Sequence, residues 1–268
     1  MTTAGRSEPK SSDAGKSVIP RASAPNERTE GGDTSLFGRG RELSVLRELI
    51  ERVDAHGGVL LVEGEAGIGK SALLTAASVK ARSRGYQVLT TTGVECETHL
   101  PFAGLHQLLQ PVLADIGHLP GPQRRALKGA FGLVDAQAPA LFLIALATLH
   151  LLSDSAVKTP ILLIAEDAQW LDRPTTDSLT IVARRLEADP IVMLVAILDG
   201  YESPLSAVGL RRLRLEGLDD EAAGTLVDAS APDLHPAVRA RVIQEAPRQP
   251  ACSHGALSPV AERGRRPP

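Results

Sequence analysis

Residues Val59 to Leu74 read VLLVEGEAGIGKSALL, and this stretch decides the fold class of the chain. It opens with an apolar run, Val59 to Val62, which has the length of a buried strand, and from Ser71 onward its composition favours a helix. The residues between them, Gly64 to Ser71, match the pattern G-x-x-x-x-G-K-[ST] in full. A strand, a glycine-rich loop and a helix in this order predict a loop that holds phosphate groups.

The residue types in the loop fit that chemistry. Its glycines allow the backbone to turn tightly and to approach an anion, and the helix that follows contributes its positive N-terminal end. Lys70 is expected to reach the β- and γ-phosphates of a nucleotide and Ser71 to hold Mg²⁺, so ATP and Mg²⁺ are the expected cofactors. The alternative is a glycine-rich turn that only joins a strand to a helix. The residues predicted to bind the cofactor here are Gly64, Glu65, Ala66, Gly67, Ile68, Gly69, Lys70 and Ser71.

Composition limits the function classes that are open to the 268-residue chain. Its net charge of −3 and its 3% of aromatic residues disfavour a general attraction to nucleic acid and stacking of single strands. Cys96 and Cys252 stand far apart without a metal-binding spacing, which is typical of a reducing compartment. The sequence has no apolar run of membrane-spanning length and no signal-peptide core. We therefore expect a cytoplasmic protein without a membrane partner.

Four segments follow from the distribution of apolar residues. Residues 1–34 are rich in small and polar residues and are predicted to be disordered, as is the unpatterned tail 247–268. Residues 35–216 are predicted to form the core, and residues 217–246 a small helical appendage that corresponds to an incomplete lid or linker. Further strands are expected at 87–93, 161–165, 191–197 and 213–215. Helices are expected at 41–55, 71–84, 102–113, 123–133, 140–152, 174–186, 219–229 and 236–246.

The alternation of these strands and helices predicts an α/β protein with a mostly parallel sheet and helices on both faces. The run Ile161 to Ala165 is apolar at every position, as is usual for a parallel strand that is buried on both faces. A phosphate loop after the first strand makes this a P-loop NTPase fold.

A second motif, Glu166 to Asp172 (EDAQWLD), follows the apolar run that begins at Ile161. Carboxylates at the end of a buried strand can orient Mg²⁺ and polarise an attacking water molecule. Glu166 and Asp167 are therefore predicted to be the catalytic pair and, together with Ser71, the metal ligands. The alternative is an acidic turn in which Asp172 caps the next helix.

Four stretches together resemble the ATPase module of the large ATP-binding LuxR-type transcriptional regulators. These regulators are signal-transduction ATPases with numerous domains and are related to AAA+ ATPases. The resemblance covers residues 36–246, and FAGLHQLL and EDAQWLD make it more specific than the phosphate loop alone. The stretches are GEAGIGKS (64–71), GVECETHLPFAGLHQLLQPVL (93–113), LLIAEDAQWLDRPTTDSL (162–179) and LRLEGLDDEAA (213–223).

The resemblance implies an AAA+-like regulatory switch that binds ATP and Mg²⁺ and that acts with a protein partner or a second copy of itself. It also implies that Phe37 and Arg39 lie near the adenine; the alternative is that Phe37 is a core anchor.

Two departures modify this picture. Leu198 stands where the family often has an arginine near the γ-phosphate, so hydrolysis is expected to be slow at most. The family's DNA-binding region is not matched, so the chain is expected to be truncated and not to bind DNA directly. A nucleotide-inactive interaction module and a P-loop small-molecule kinase remain as alternatives.

Overall fold

The computed structural model describes residues 36–53, 56–134 and 140–245. The segments predicted to be disordered, 1–34 and 247–268, lie outside these ranges. Within the described ranges, no helix combines the length and the apolar character that a membrane span requires.

A parallel sheet of five strands forms the centre of the described chain, in the order β2-β3-β4-β1-β5. Both the α/β class and the parallel sheet are confirmed. Each step between neighbouring parallel strands needs a crossover, which the helices supply. The strands are β1 (Gly58–Gly64), β2 (Gln87–Thr92), β3 (Ile161–Glu166), β4 (Ile191–Leu198) and β5 (Arg211–Arg214).

Six helices of the described chain cover the two faces of this sheet, and two more follow the last strand. They are α1 (Gly40–Glu51), α2 (Lys70–Ser83), α3 (Ala103–Leu109), α4 (Gly121–Ala130), α5 (Leu141–Ala156), α6 (Arg173–Ala183), α7 (Asp220–Ser230) and α8 (Pro236–Glu245). Each overlaps one predicted helix. The last two belong to the predicted appendage, and α7 begins at the N-cap Asp219, whose carboxylate accepts a hydrogen bond from Ala222 N–H at 2.7 Å.

Alternate strand residues enter two hydrophobic cores. Leu61 and Leu163 pack with α3 to α6 on one face, whereas Leu60, Leu162 and Leu194 pack with α1 and α2 on the other. Because the central strands are covered on both sides, apolar residues are favoured at every position, which explains their continuous apolar runs.

Most helix ends differ from the sequence prediction by one to four residues, and α5 continues to Ala156 where the prediction ended at Leu152. Two other differences have a clear physical reason. The helix predicted over 102–113 is α-helical only to Leu109, and a 3₁₀ helix continues it over Gln110–His118. Pro111 lies at the change, where its missing N–H cannot donate to the preceding turn. The last strand, β5, begins at Arg211 and not at Leu213, because an edge strand tolerates charged residues that hide it from a hydrophobicity pattern.

The parallel arrangement brings the two motifs to one edge of the sheet. The carboxyl ends of parallel strands meet at a common edge, where ligands bind in open α/β folds. Gly64 at the end of β1 pairs with Leu198 at the end of β4, and Ala165 on β3 pairs with Val195 on β4. The phosphate loop after β1 and the acidic turn after β3 therefore leave the same edge, with the end of β4 between them.

Candidate nucleotide-binding site

The loop between β1 and α2 has the backbone conformation that its glycines permit. Gly67 and Gly69 lie in the left-handed region, with φ of 75° and 103°, where L-residues with a side chain are strained. Gly64 is required for a different reason. A Cβ atom at Gly64 would lie 2.9 Å from Ile68 Cγ2 and 3.1 Å from the carbonyl oxygen of Leu215. Packing around β1 therefore requires the first glycine, and the turn itself requires the other two.

The backbone donors of this loop are suited to an anion. Among the described residues, no acceptor is found for the N–H groups of Gly67, Gly69 and Lys70. The first N–H groups of a helix lack partners inside the helix, and they form an anion site when they converge at its N-terminus. The donor set therefore fits the phosphate groups of a nucleotide.

Lys70 adds a positive charge inside the loop. Its residue is only 8% exposed, and its ammonium donates to the carbonyl oxygens of Gly64 at 2.7 Å and Glu65 at 2.8 Å. Burial lowers the pKa of Lys70, and the nearby carboxylates of Asp167 and Asp199 oppose that effect. An ammonium has three hydrogens, so one donor remains for a further acceptor.

The acidic turn faces the phosphate loop across a cleft of about 460 Å³. Asp167 adopts a left-handed conformation with φ of 47°, which is uncommon for a residue with a side chain. Its carboxylate is close enough to Lys70 to affect that residue's pKa. The structure thus brings the two sequence motifs together. The residues that line the cleft are Ala66, Gly67, Gly69, Lys70, Ser71, Ala72, Asp167, Gln169, Trp170 and Leu198.

Glu166 and Asp167 occupy different places. Glu166 is the last residue of β3 and does not line the cleft. By the alternation of the strand it belongs to the same face of the sheet as Leu162 and Ile164, which pack with α2. Asp167 lines the cleft directly. Leu198 lines it as well, so the position at which the resembled family often has an arginine does border the phosphate loop and has an aliphatic side chain here.

Asp172 shows that the alternative interpretation of the acidic motif is correct for its last residue. It is the N-cap of α6, and its buried carboxylate accepts hydrogen bonds from Thr175 N–H at 2.9 Å and Thr175 Oγ1 at 2.6 Å. One motif therefore supplies both a cleft residue, Asp167, and a helix cap, Asp172.

Gln169 and Trp170 are cleft residues that the sequence did not single out as binding residues. Gln169 Nε2 donates to Asp167 Oδ1 at 3.2 Å, and its Oε1 accepts from Leu198 N–H at 3.1 Å. Trp170 packs edge-on against Tyr201, with ring centroids 5.3 Å apart. The only sequence signal for either residue is its place inside the EDAQWLD motif.

The residues predicted to lie near the adenine border a second, apolar pocket of about 480 Å³. Phe37 lines this pocket. Arg39 also lines it, but its guanidinium is buried and donates to Glu42 Oε1 at 3.0 Å and to the carbonyl oxygen of Ile68 at 2.9 Å. Helices α7 and α8 close the pocket with Ala223, Leu226, Val227, Val242 and Ile243.

The pocket and the cleft are neighbours. They share Ala66, Gly67, Gly69 and Ala72, so the phosphate loop forms a wall of both. One cavity is apolar and the other contains the backbone donors, Lys70 and Asp167. This pair suits a ligand with a flat apolar part joined to an anionic part.

Comparison with known proteins agrees with this geometry. A family model described as the AAA ATPase domain matches residues 35–195. The chain is also similar to an uncharacterized protein of Rhizobium meliloti (strain 1021), with 26% identity over 233 residues, which cover 74% of this chain and 22% of that protein. The chain thus spans about a fifth of that relative's length.

Two solved structures are similar to this chain over about three quarters of its length. The signal transduction ATPase with numerous domains from Pyrococcus horikoshii, which has a tetratricopeptide repeat sensor, is 21% identical with a TM-score of 0.42 over 78% of this chain and 28% of that chain. AMPPCP-bound DnaA from Aquifex aeolicus is 14% identical with a TM-score of 0.45 over 78% of this chain and 57% of that chain.

Proposed function

We propose, since this chain belongs to the AAA ATPase domain family, that it binds ATP with Mg²⁺ and acts as a nucleotide-controlled regulatory module. One observation supports this most directly. The unpartnered N–H groups of the loop, the Lys70 ammonium and the Asp167 carboxylate all border one cleft at the carboxyl edge of the sheet. That combination provides positive donors for phosphate and an oxygen ligand for its cation.

Each part of the nucleotide has residues of matching chemistry. The loop amides and Lys70 would bind the phosphates, and Ser71 and Asp167, which line the cleft, would hold Mg²⁺, which prefers oxygen ligands. Glu166, which ends β3 and does not line the cleft, would act on the ion through water. Bound Mg²⁺ would neutralise phosphate charge. The apolar pocket beside Phe37 would accept the base. Arg39 would act indirectly, because its bond to the Ile68 carbonyl oxygen fixes the loop that separates the pocket from the cleft.

Slow hydrolysis is part of the proposal. Lys70 is the only cationic residue among the described residues that line the cleft. Arg214 lies nearby but is paired with Asp199 at 2.9 Å. Phosphoryl transfer is accelerated by positive groups around the γ-phosphate, and an arginine in that role is worth about 10³–10⁵ in rate. A site with Leu198 at the end of β4 is better suited to holding ATP than to rapid turnover.

The regulatory part of the proposal comes from the resemblance to the ATPase module of LuxR-type regulators. In such a protein the nucleotide state would act on a protein partner or on a second copy of the chain. The similarity to a relative more than three times as long is consistent with a module that works within, or alongside, a larger assembly.

The test is a titration of the chain with ATP and ADP in the presence of Mg²⁺, together with a phosphate-release assay. Trp170 is the chain's single tryptophan and lines the cleft, so its fluorescence reports binding at that place. We expect saturable binding of both nucleotides, weaker ATP binding after chelation of Mg²⁺, and turnover below about 1 s⁻¹. Failure of both nucleotides to bind at millimolar concentration would contradict the proposal.

A further inference from the structure

We infer that Gln169 is the residue through which this site distinguishes a nucleoside triphosphate from a diphosphate. The inference rests on the proposed nucleotide binding and assigns the recognition of the third phosphate to one residue of that site. Gln169 is a positioning residue for Asp167, and it connects the acidic turn to the end of β4.

The arrangement of the two cavities shows which end of the cleft a terminal phosphate would occupy. The apolar pocket and the cleft share Ala66, Gly67, Gly69 and Ala72. Lys70, Ser71, Asp167, Gln169, Trp170 and Leu198 line only the cleft. A ligand with its base in the pocket would place its phosphates in order along the loop. Gln169 therefore borders the part of the site that the last phosphate reaches.

The orientation of the Gln169 amide is fixed by its two partners. The Leu198 backbone N–H can only donate, so it must meet Oε1, and the Asp167 carboxylate accepts from Nε2. An amide nitrogen has two hydrogens, and within the described residues only Asp167 accepts from this one. One N–H donor of a cleft residue thus remains for a ligand oxygen.

The same side chain determines where Asp167 points. Asp167 has a left-handed backbone with φ of 47°, a conformation that costs free energy and persists only when neighbouring contacts hold it. Gln169 supplies one such contact at Oδ1, and no donor to Oδ2 is found in the described part of the chain. The free oxygen, Oδ2, is left for a cation.

Gln169 also compensates for the lack of a polar side chain at the end of β4. Leu198 has no side-chain donor, but its N–H is bound to Gln169, and Asp199 N–H donates to the carbonyl oxygen of Gly64 at 3.2 Å. A continuous series of contacts therefore leads from Asp167 through Gln169 and β4 to the first residue of the phosphate loop. A ligand oxygen that accepts from the remaining Gln169 N–H would join this series, and with the phosphates in the order given above that oxygen would belong to the third phosphate.

The experiment compares the ratio of ADP to ATP dissociation constants in the full chain and in Gln169→Met, using Trp170 fluorescence and calorimetry with Mg²⁺. Met has a similar length and cannot form either hydrogen bond of the glutamine side chain. We expect ATP affinity to fall about tenfold or more, the size of one hydrogen bond to a charged acceptor, and ADP affinity to change less than about twofold. Gln107→Met is the matched control, because Gln107 accepts hydrogen bonds from Thr91 and Thr92 at the end of β2 and does not line the cleft.

A second variant, Gln169→Glu, tests the role of Gln169 if Gln169→Met does not fold. Gln169→Glu keeps the acceptor for Leu198 N–H but replaces the donor by a negative charge. It should therefore reduce ATP affinity more than Gln169→Met does. Its effect on ADP affinity should be smaller than its effect on ATP affinity. An unchanged ratio in a folded variant, equal losses for the two nucleotides, or loss of folding in both variants would overturn the inference. If the unmodified chain binds neither nucleotide, the proposed function itself fails, and that result is distinguishable from an unchanged ratio.

Discussion

The N–H of Phe102 donates to Oδ1 of Asp172 at 2.8 Å, although 70 positions separate the two residues in the sequence. The other oxygen of Asp172 accepts from Gly104 N–H at 3.1 Å. Phe102, the N-cap of α3, has a left-handed backbone with φ of 63°. Because the N–H groups of Phe102 and Gly104 both donate to Asp172, the N-cap of α6 holds the start of α3 in place. The FAGLHQLL and EDAQWLD motifs are thus joined by direct hydrogen bonds.

Replacing Asp172 by Ala should destabilise the fold by about 3 kcal/mol, because it removes a helix cap and leaves buried N–H groups without an acceptor. Urea unfolding followed by circular dichroism measures this change. The control is Asp177→Ala on the same helix, which removes the exposed ion pair with Arg173 and should cost less than about 1 kcal/mol. Similar losses for the two variants would contradict the role assigned to Asp172.

Gly64→Ala should weaken ATP binding by about tenfold or more, since the added Cβ would meet Ile68 and the Leu215 carbonyl oxygen and would displace the loop. Calorimetric titration measures the dissociation constant. Gly40→Ala, at the start of α1, is the control, because a Cβ atom there has no neighbour within 4 Å. Normal affinity in a folded Gly64→Ala chain would show that the loop tolerates the contact.

The affinity for ATP should fall as the pH rises through the lowered pKa of Lys70, below the value of 10.5 that is usual for lysine. The protonated amine attracts phosphate, and it is lost sooner than that of an exposed lysine because burial disfavours its charge. Folding stability should change in the opposite sense, because the unfolded chain binds more protons in that range of pH. Titrations at several pH values test this, and Lys70→Ala should abolish the pH dependence above neutrality.

Leu198→Arg should raise the rate of phosphate release without improving ATP affinity to the same degree. The side chain at this position borders the cleft, where a cation would stabilise charge that develops on the γ-phosphate. Leu100→Arg, at an exposed position away from the cleft, controls for the added charge. An Arg variant that binds ATP normally and turns over no faster would remove Leu198 from the explanation of slow hydrolysis.

Local patterns were sufficient to predict the parallel sheet and the strand, glycine-rich turn and helix around residues 59–74. The runs 59–62 and 161–165 are apolar at every position because both faces of these strands are buried, and the glycines of the loop indicate its backbone conformation. The contribution of Gln169 could not be predicted, because it depends on how the turn after β3 meets the end of β4, a contact between residues 29 positions apart. The start of β5 at Arg211 was missed because an edge strand needs no apolar side chains.

Replacing Lys70 by Ala tests the central claim, that the cleft binds the phosphates of ATP, most directly. The variant loses the cation of the loop and should bind ATP about one to two decades more weakly, since a charge-assisted contact is worth roughly 1.5–3 kcal/mol. Lys80→Ala, on the exposed side of the same helix, should bind as the unmodified chain does. Unchanged ATP affinity in a folded Lys70→Ala chain would contradict the assignment of the site.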